Sequence, residues 1–139
     1  MNNKYSLITG GTAGIGLDIA KELAKRGHNI LLTARREERL KEISASIKEE
    51  FNVDCNYIAA DLADASAPEM IYNFCSENNY IVEILVNNAG YSINKKFHET
   101  GEYEEEKFLR VLGIAVVALT KKFIPSMLEQ KHGKIMMVS

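Results

Sequence analysis

No sign of charge dominates this chain: 17 Lys and Arg stand against 19 Asp and Glu over 139 residues, a formal net charge of -2. Such a balance offers neither nucleic acid nor an anionic membrane a global attraction, so any anion site has to be built locally. Long apolar runs are missing as well. The longest, VLGIAVVAL from Val111 to Leu119, is far too short to span a bilayer. The N-terminus passes from MNNK into YSLIT with no charged-then-apolar leader and no cleavage site, which makes a cytoplasmic protein the expectation. With only two prolines and no repeat, low-complexity tract or Pro/Gly/Ser linker, nothing marks a domain boundary. Cys55 and Cys75 lack the spacing of a metal site or redox pair and read as reduced packing residues. His28, His98 and His132 stand apart beside loops, without the partner spacing of a metal site or a triad, and read as solvated surface residues.

What is present is an alternation. Strand-length apolar runs occur at YSLIT (5–9), NILLT (29–33), NYIAA (56–60), VEILVN (82–87) and KIMMV (134–138). Their near-continuous apolarity predicts strands covered on both faces, as in a parallel sheet. Between them lie helical patterns. Gly14 to Arg26 carries Ile15, Ile19 and Leu23 on one stripe, with Gly27 as the C-cap. REERLKEISASIKEE places Leu40, Ile43 and Ile47 on one face, and a third helix opens at Pro68 with Ile71, Phe74 and Cys75. A long fourth helix is predicted from about Tyr103 to Glu129, apolar nearly all round at 111–119 and therefore buried on more than one side, with Pro125 kinking it or breaking its last turns. The order βαβαβαβαβ predicts right-handed crossovers and helices on both faces of one parallel sheet.

Leu7 to Leu23, LITGGTAGIGLDIAKEL, places Gly10, Gly14 and Gly16 between the first strand and the first helix. A glycine turn there lets backbone approach a pyrophosphate, which then rests on the helix N-terminus where unpaired N–H groups and the helix dipole favour negative charge. A tight strand-to-helix turn is the plainer alternative. Thr9-Gly10-x-x-x-Gly14-Ile15-Gly16 resembles the loop of the short-chain dehydrogenase/reductase family. Asp61-Leu62 after the third strand, Asn87-Asn88-Ala89-Gly90 closing the fourth and GKIMMVS as the fifth match that family at the right intervals. The resemblance covers essentially the whole chain. It implies an α/β fold, a Rossmann-type doubly wound parallel sheet of strand order 3-2-1-4-5 ending here after the fifth strand, with residues 1–139 as the NAD(P)-binding domain. It implies hydride transfer between a nicotinamide cofactor and an alcohol or carbonyl. Carried over, it puts Gly10, Thr12, Gly14, Ile15 and Gly16 in the phosphate loop, Asp61 and Leu62 around the adenine, and Asn88, Ala89 and Gly90 along the ribose. The Asn87-to-Gly90 segment also braces the central sheet in that family.

Dinucleotide-binding folds commonly end the second strand on an acid that accepts bonds from the ribose 2′-OH, whereas an arginine nearby suits a 2′-phosphate. LLTARREERL has Ala34 at the acidic position, followed by Arg35 and Arg36, so NADP(H) is favoured over NAD(H), with Arg35 pairing the phosphate. Arg36 and Arg39 fit better as solvated charges opening the second helix.

The family's catalytic groups are an Asn in the long helix, a Ser after the fifth strand and a Tyr-x-x-x-Lys beyond it; by alignment the Ser falls one residue past Ser139, and no catalytic residue is assigned within the chain. Tyr91 to Lys95 and Tyr103 to Lys107 satisfy the short Tyr-x-x-x-Lys pattern, but they precede the fifth strand and read as chance matches, Tyr91 lying near the cleft where it could touch substrate. Aligning Thr120 and Pro125 with the family's Thr and Pro puts Leu112 at the position of the helix Asn, which in that family holds a proton-relay water; a relative with Leu there either works without that relay or is altered in catalysis. Two readings stand: the cofactor half of a longer oxidoreductase, or a complete dinucleotide-binding or regulatory module without hydride transfer. The long helices of the family pack dimers and tetramers, which makes a homo-oligomer through the fourth helix an expectation.

Overall fold

The computed structural model describes residues 2–139. Five strands, β1 (Lys4–Thr9), β2 (Asn29–Ala34), β3 (Cys55–Ala59), β4 (Ile81–Asn87) and β5 (Lys134–Met137), form one sheet of order β3-β2-β1-β4-β5. Every pairing in it is parallel. The connections are α1 (Gly14–Lys25), α2 (Glu37–Phe51), α3 (Ala67–Glu77) and a long helical segment made of α4 (Glu104–Leu109), a π-helical turn (Arg110–Ile114) and α5 (Ala115–Gln130). The α/β class and the strand order are those implied by the resemblance.

Register explains why the strands are apolar on both sides. Leu7 of β1 lies beside Leu31 of β2 and Leu85 of β4, and all three point into the core shared with α3 and α5. One residue on, Ile8 lies beside Leu32 and Val86, and these point into the second core with α1 and α2. All six are fully buried. At about 1.5–3 kcal/mol for each buried aliphatic side chain, the two cores are of comparable weight, and neither face can be left to solvent.

Three expectations change. The buried stripe of α1 is Gly16, Ala20 and Ala24, whereas Ile15 is exposed and Ile19 and Leu23 are only partly buried. Small residues let this helix lie close to the sheet, which a stripe of isoleucines would hold off. The strands at 5–9, 29–33 and 82–87 are central, but β5 lies at the sheet edge and Ile135, Met136 and Met137 are 37, 47 and 56% exposed, so it is not covered on both faces.

The long helix also differs. Its buried residues are Val111, Ala115, Leu119, Phe123 and Met127, a single stripe at four-residue spacing, while Leu109, Ile114, Val117 and Leu128 face outward. It is buried on one side only, against β4 and α3, where Phe123 meets Tyr72 at 5.6 Å between ring centroids. Taken by length and composition alone, Glu104–Gln130 is apolar enough to cross a membrane, which counting unbroken apolar runs misses because Lys121 and Lys122 interrupt the pattern. Pro125 lies inside α5, which continues to Gln130. Gly27, at φ +86°, follows the last turn of α1 as expected, and Pro68 sits in the first turn of α3.

Candidate functional site

The strand order reverses between β1 and β4, and at that point the C-terminal ends of the strands open onto a cleft of about 570 Å³. In an open parallel sheet the diverging loops at such a switch point leave the natural crevice for a ligand. Gly10, Thr12, Arg35, Asp61, Leu62, Ala89 and Gly90 line it, so seven of the sequence-selected residues meet there from four loops. Gly14, Ile15, Gly16 and Asn88 are not in the lining.

The places of Asn88 and Gly16 explain themselves. Asn88 turns its amide back into the fold, where Nδ2 donates to the carbonyls of Thr9 and Gly10, each at 3.1 Å. Gly16 lies directly behind it: a Cβ there would stand 2.5 Å from the Gly10 oxygen and would collide with Asn88 Nδ2. Gly10 is at φ +64°, and a Cβ on it would come within 2.9 Å of Ala89 Cα. These glycines therefore first allow the turn after β1 to dock on the turn after β4, and only through that do they shape the cleft.

Thr9 locks the same junction. Its buried hydroxyl accepts from the N–H groups of Asn88 (3.0 Å) and Ala89 (2.9 Å) and lies 3.4 Å from the Val86 carbonyl, to which it donates. Asn87 extends the brace sideways, its Nδ2 donating to Thr120 Oγ1 at 3.2 Å and to Met137 Sδ at 3.4 Å. One polar seam thus joins β1, β4, α5 and β5 beneath the cleft.

The cleft is basic although the chain is acidic. Arg35 and Arg36 enter from the end of β2, and Lys107 enters from α4. Arg36, the residue before α2, is exposed as expected of a charge opening that helix, and it also lines the cleft; Arg39 lies 3.9 Å from Glu42 on the helix surface, outside the lining. Asp61 is the one carboxylate in the lining, and its Oδ1 accepts from the Ala63 N–H at 2.9 Å. Thr33, 1% exposed, lines the cleft with a buried Oγ1 that has no hydrogen-bond partner in the protein.

Of the two Tyr-x-x-x-Lys strings, the fold brings one residue from each into the cleft, Tyr91 and Lys107, while Lys95 pairs with Glu104 at 3.0 Å and Tyr103 stays exposed. Tyr91 is set by an edge-on contact with Phe108 at 5.5 Å. Leu112 lies in the π-helical turn, its Cδ2 so close to Gly90 that a Cβ there would be 2.6 Å away; an apolar group packs on the cleft rim at that position.

His98 and His132 are exposed as expected, and His28 is half-buried. His28 Nδ1 lies 3.4 Å from Glu83 Oε1 and His132 Nε2 lies 3.6 Å from Glu83 Oε2, so two turns remote in sequence share one carboxylate on β4. Among the described residues no cluster of His, Cys, Asp and Glu could hold a metal. Cys55 and Cys75 are free and buried, and burial pushes both thiols up to about 12.

A parallel sheet of this order, with a glycine-built crevice at its switch point, defines a Rossmann-type fold of the nucleotide-binding class. The short chain dehydrogenase family model matches residues 4–139, and the chain belongs to that oxidoreductase family. It is 33% identical over 141 residues to a fatty acyl-CoA reductase of Acinetobacter baylyi, covering 100% of this chain and 48% of that protein. It is 34% identical over 140 residues to the very-long-chain 3-oxoacyl-CoA reductase of Rattus norvegicus, covering 98% and 44%. L-sorbose reductase from Gluconobacter frateurii, solved with NADPH and L-sorbose, superposes with a TM-score of 0.91 at 33% identity, over 99% of this chain and 52% of that one. The chain spans about half the length of the curated relatives it matches.

Proposed function

We propose that this chain is the cofactor-holding half of an NADP(H)-dependent short-chain oxidoreductase that interconverts an alcohol and a carbonyl. The observation that carries the reading is the cleft itself: a switch-point crevice with glycine backbone on one side and the Arg35-Arg36 pair at the end of β2, where Ala34 stands in place of an acid. The donor set suits a phosphorylated dinucleotide. Gly10 and Thr12 present the turn at the start of α1 to a pyrophosphate, Arg35 suits a 2′-phosphate, and Thr33 Oγ1 has hydrogen-bonding capacity left over. Asp61 and Leu62 suit the adenine, and Ala89 and Gly90 the ribose; Gly14, Gly16 and Asn88 serve by holding the loop in shape, and Ile15, exposed in the first turn of α1, is left to meet the cofactor from the loop's outer side. When bound, the nicotinamide gives or takes the hydride, and this chain's residues bind and orient it.

Three relatives called reductases, one of them solved with NADPH, support the direction of the chemistry. The proposal includes a small-molecule alcohol or carbonyl substrate, neither nucleic acid nor membrane as partner, a cytoplasmic location, and a homo-dimer or tetramer. The outward apolar face of α5, with Val117 67% and Leu128 72% exposed, supports association. Alone, the 139-residue chain is expected to bind cofactor without turning it over.

The test is NADPH and NADH titration of the full-length protein, followed by fluorescence. Arg35→Asp is expected to weaken NADPH by about 10- to 100-fold and NADH by no more than about threefold, since it replaces a bidentate phosphate partner with a like charge. Equal losses remove Arg35 from the 2′-phosphate; no binding of either nucleotide by the wild type removes the reading.

A further inference from the structure

α4 carries the run Glu104-Glu105-Glu106-Lys107, in which a lysine is expected to be neutralised by its neighbours. It is not. Glu104 pairs with Lys95 at 3.0 Å and accepts from the Gly101 N–H at 2.9 Å, Glu105 accepts from the Thr100 hydroxyl, and Glu106 pairs with Arg110 at 3.3 Å. Each carboxylate has a partner of its own, and among the described residues none lies within 4.0 Å of the Lys107 ammonium. Helix phase then decides where that ammonium faces. Val111, four residues on and therefore on the same side of the helix, is buried and lines the cleft, and Lys107 lines it with Val111 and Tyr91. Arg35 and Arg36 come to the same cavity from the end of β2, a different element. With Asp61 as the only carboxylate, the lining carries three cations against one anion in a chain whose net charge is -2.

We infer that Lys107 is a further cofactor-binding residue, a cation on the helix side of the cleft that holds the dinucleotide phosphates together with the arginines of β2. The inference rests on the dinucleotide reading above. It names a residue that the glycine loop and the β2 end do not include, and it follows from the partners of the α4 glutamates, two ion-paired and one hydrogen-bonded, which leave this one lysine without a carboxylate. A bound phosphate and an ammonium on a mobile four-carbon stem need little reorganisation to meet, and their attraction is screened by salt.

The experiment is NADPH and NADH titration of the full-length protein carrying Lys107→Met, Lys107→Arg or Lys107→Glu, with Lys121→Met, an exposed lysine outside the cleft lining, as the equal-charge control. In about 50 mM salt, Lys107→Met is expected to weaken NADPH by about three- to tenfold and the more weakly charged NADH by less, and Lys107→Glu by more, with the difference from wild type shrinking as salt is raised. Lys107→Arg is expected to stay within about twofold of wild type. Melting temperatures should be unchanged, since Lys107 is exposed. Lys107→Met binding NADPH like wild type, or Lys121→Met weakening it equally, overturns the inference while leaving the dinucleotide reading intact. A wild-type protein that binds neither nucleotide overturns the reading, and the inference with it.

Discussion

Replacing Gly16 by alanine tests the claim that the turn after β1 and the turn after β4 are one docked unit. Gly16 is in the first turn of α1, where alanine would ordinarily stabilise a helix by about 1 kcal/mol. Here the new methyl would lie 2.5 Å from the Gly10 oxygen and against Asn88 Nδ2. Asn88 must move, which breaks its two 3.1 Å bonds to Thr9 and Gly10 at about 0.5–1.5 kcal/mol each, and the crowding adds about 1–3 kcal/mol. The net expectation is a destabilisation of about 2–4 kcal/mol, a fall in melting temperature of roughly 5–15 °C for a protein of this family's size, and weaker NADPH binding. Thermal unfolding of the full-length protein, with and without NADPH, reads both. Gly14 is the control: at φ +56° with no atom within 4 Å of its would-be Cβ, alanine meets backbone strain of about 1–2 kcal/mol and no neighbour. In an Asn88→Ala background the cost of Gly16→Ala is expected to shrink by at least about 1 kcal/mol, because part of the collision is gone. Strict additivity of the two substitutions, or a Gly16→Ala protein as stable as wild type, would refute the docking argument.

Thr9→Val keeps the shape of the side chain but leaves the Asn88 and Ala89 N–H groups without their acceptor; urea unfolding is expected to show a loss of about 2–4 kcal/mol, and Thr9→Ser a much smaller one. Cys55 and Cys75, buried and pushed up to about 12, are expected to react with a thiol reagent at pH 8 at least about tenfold more slowly in the native protein than in urea. Burial, then the neighbouring Tyr80, raises Tyr5 from 10.0 to about 12, and Asn56 Nδ2 donates to both phenol oxygens at 3.2 and 2.9 Å. The unfolded chain therefore releases the Tyr5 proton first, so stability falls as pH rises through roughly 10 to 12. Urea midpoints should drop between pH 8.5 and 11, and Tyr5→Phe should flatten part of that slope; an unchanged midpoint would contradict the assigned burial.

How far the sequence led differs from element to element. All five strands and the helices between them were legible, because an apolar run and an amphipathic stripe are local patterns. The glycine loop was legible as a site for the same reason: Gly10, Gly14 and Gly16 fall within seven residues between a strand and a helix. The strand order came from the resemblance, since periodicity carries no information on which strands neighbour one another. At α1, choosing the stripe by hydrophobicity selected Ile15, 62% exposed, over Ala20 and Ala24, fully buried, because it ignored how near the sheet lies. At the long helix, apolar residues all round gave no sign of which stripe would meet β4.

The sequence by itself determined the repertoire of elements, their alternation along the chain and the turn that opens α1, all of which follow from patterns within about fifteen residues of chain. Only the tertiary structure decided what those elements hold together: Arg35, Arg36 and Lys107 around one cleft, Asn88 reaching back to Thr9 and Gly10, and His28 and His132 on opposite oxygens of Glu83. The reason is geometric. A side chain's face is set by helix phase or strand pleat, but what stands opposite that face is set by crossovers that hydrogen-bond residues up to 80 positions apart, and no local pattern records that distance.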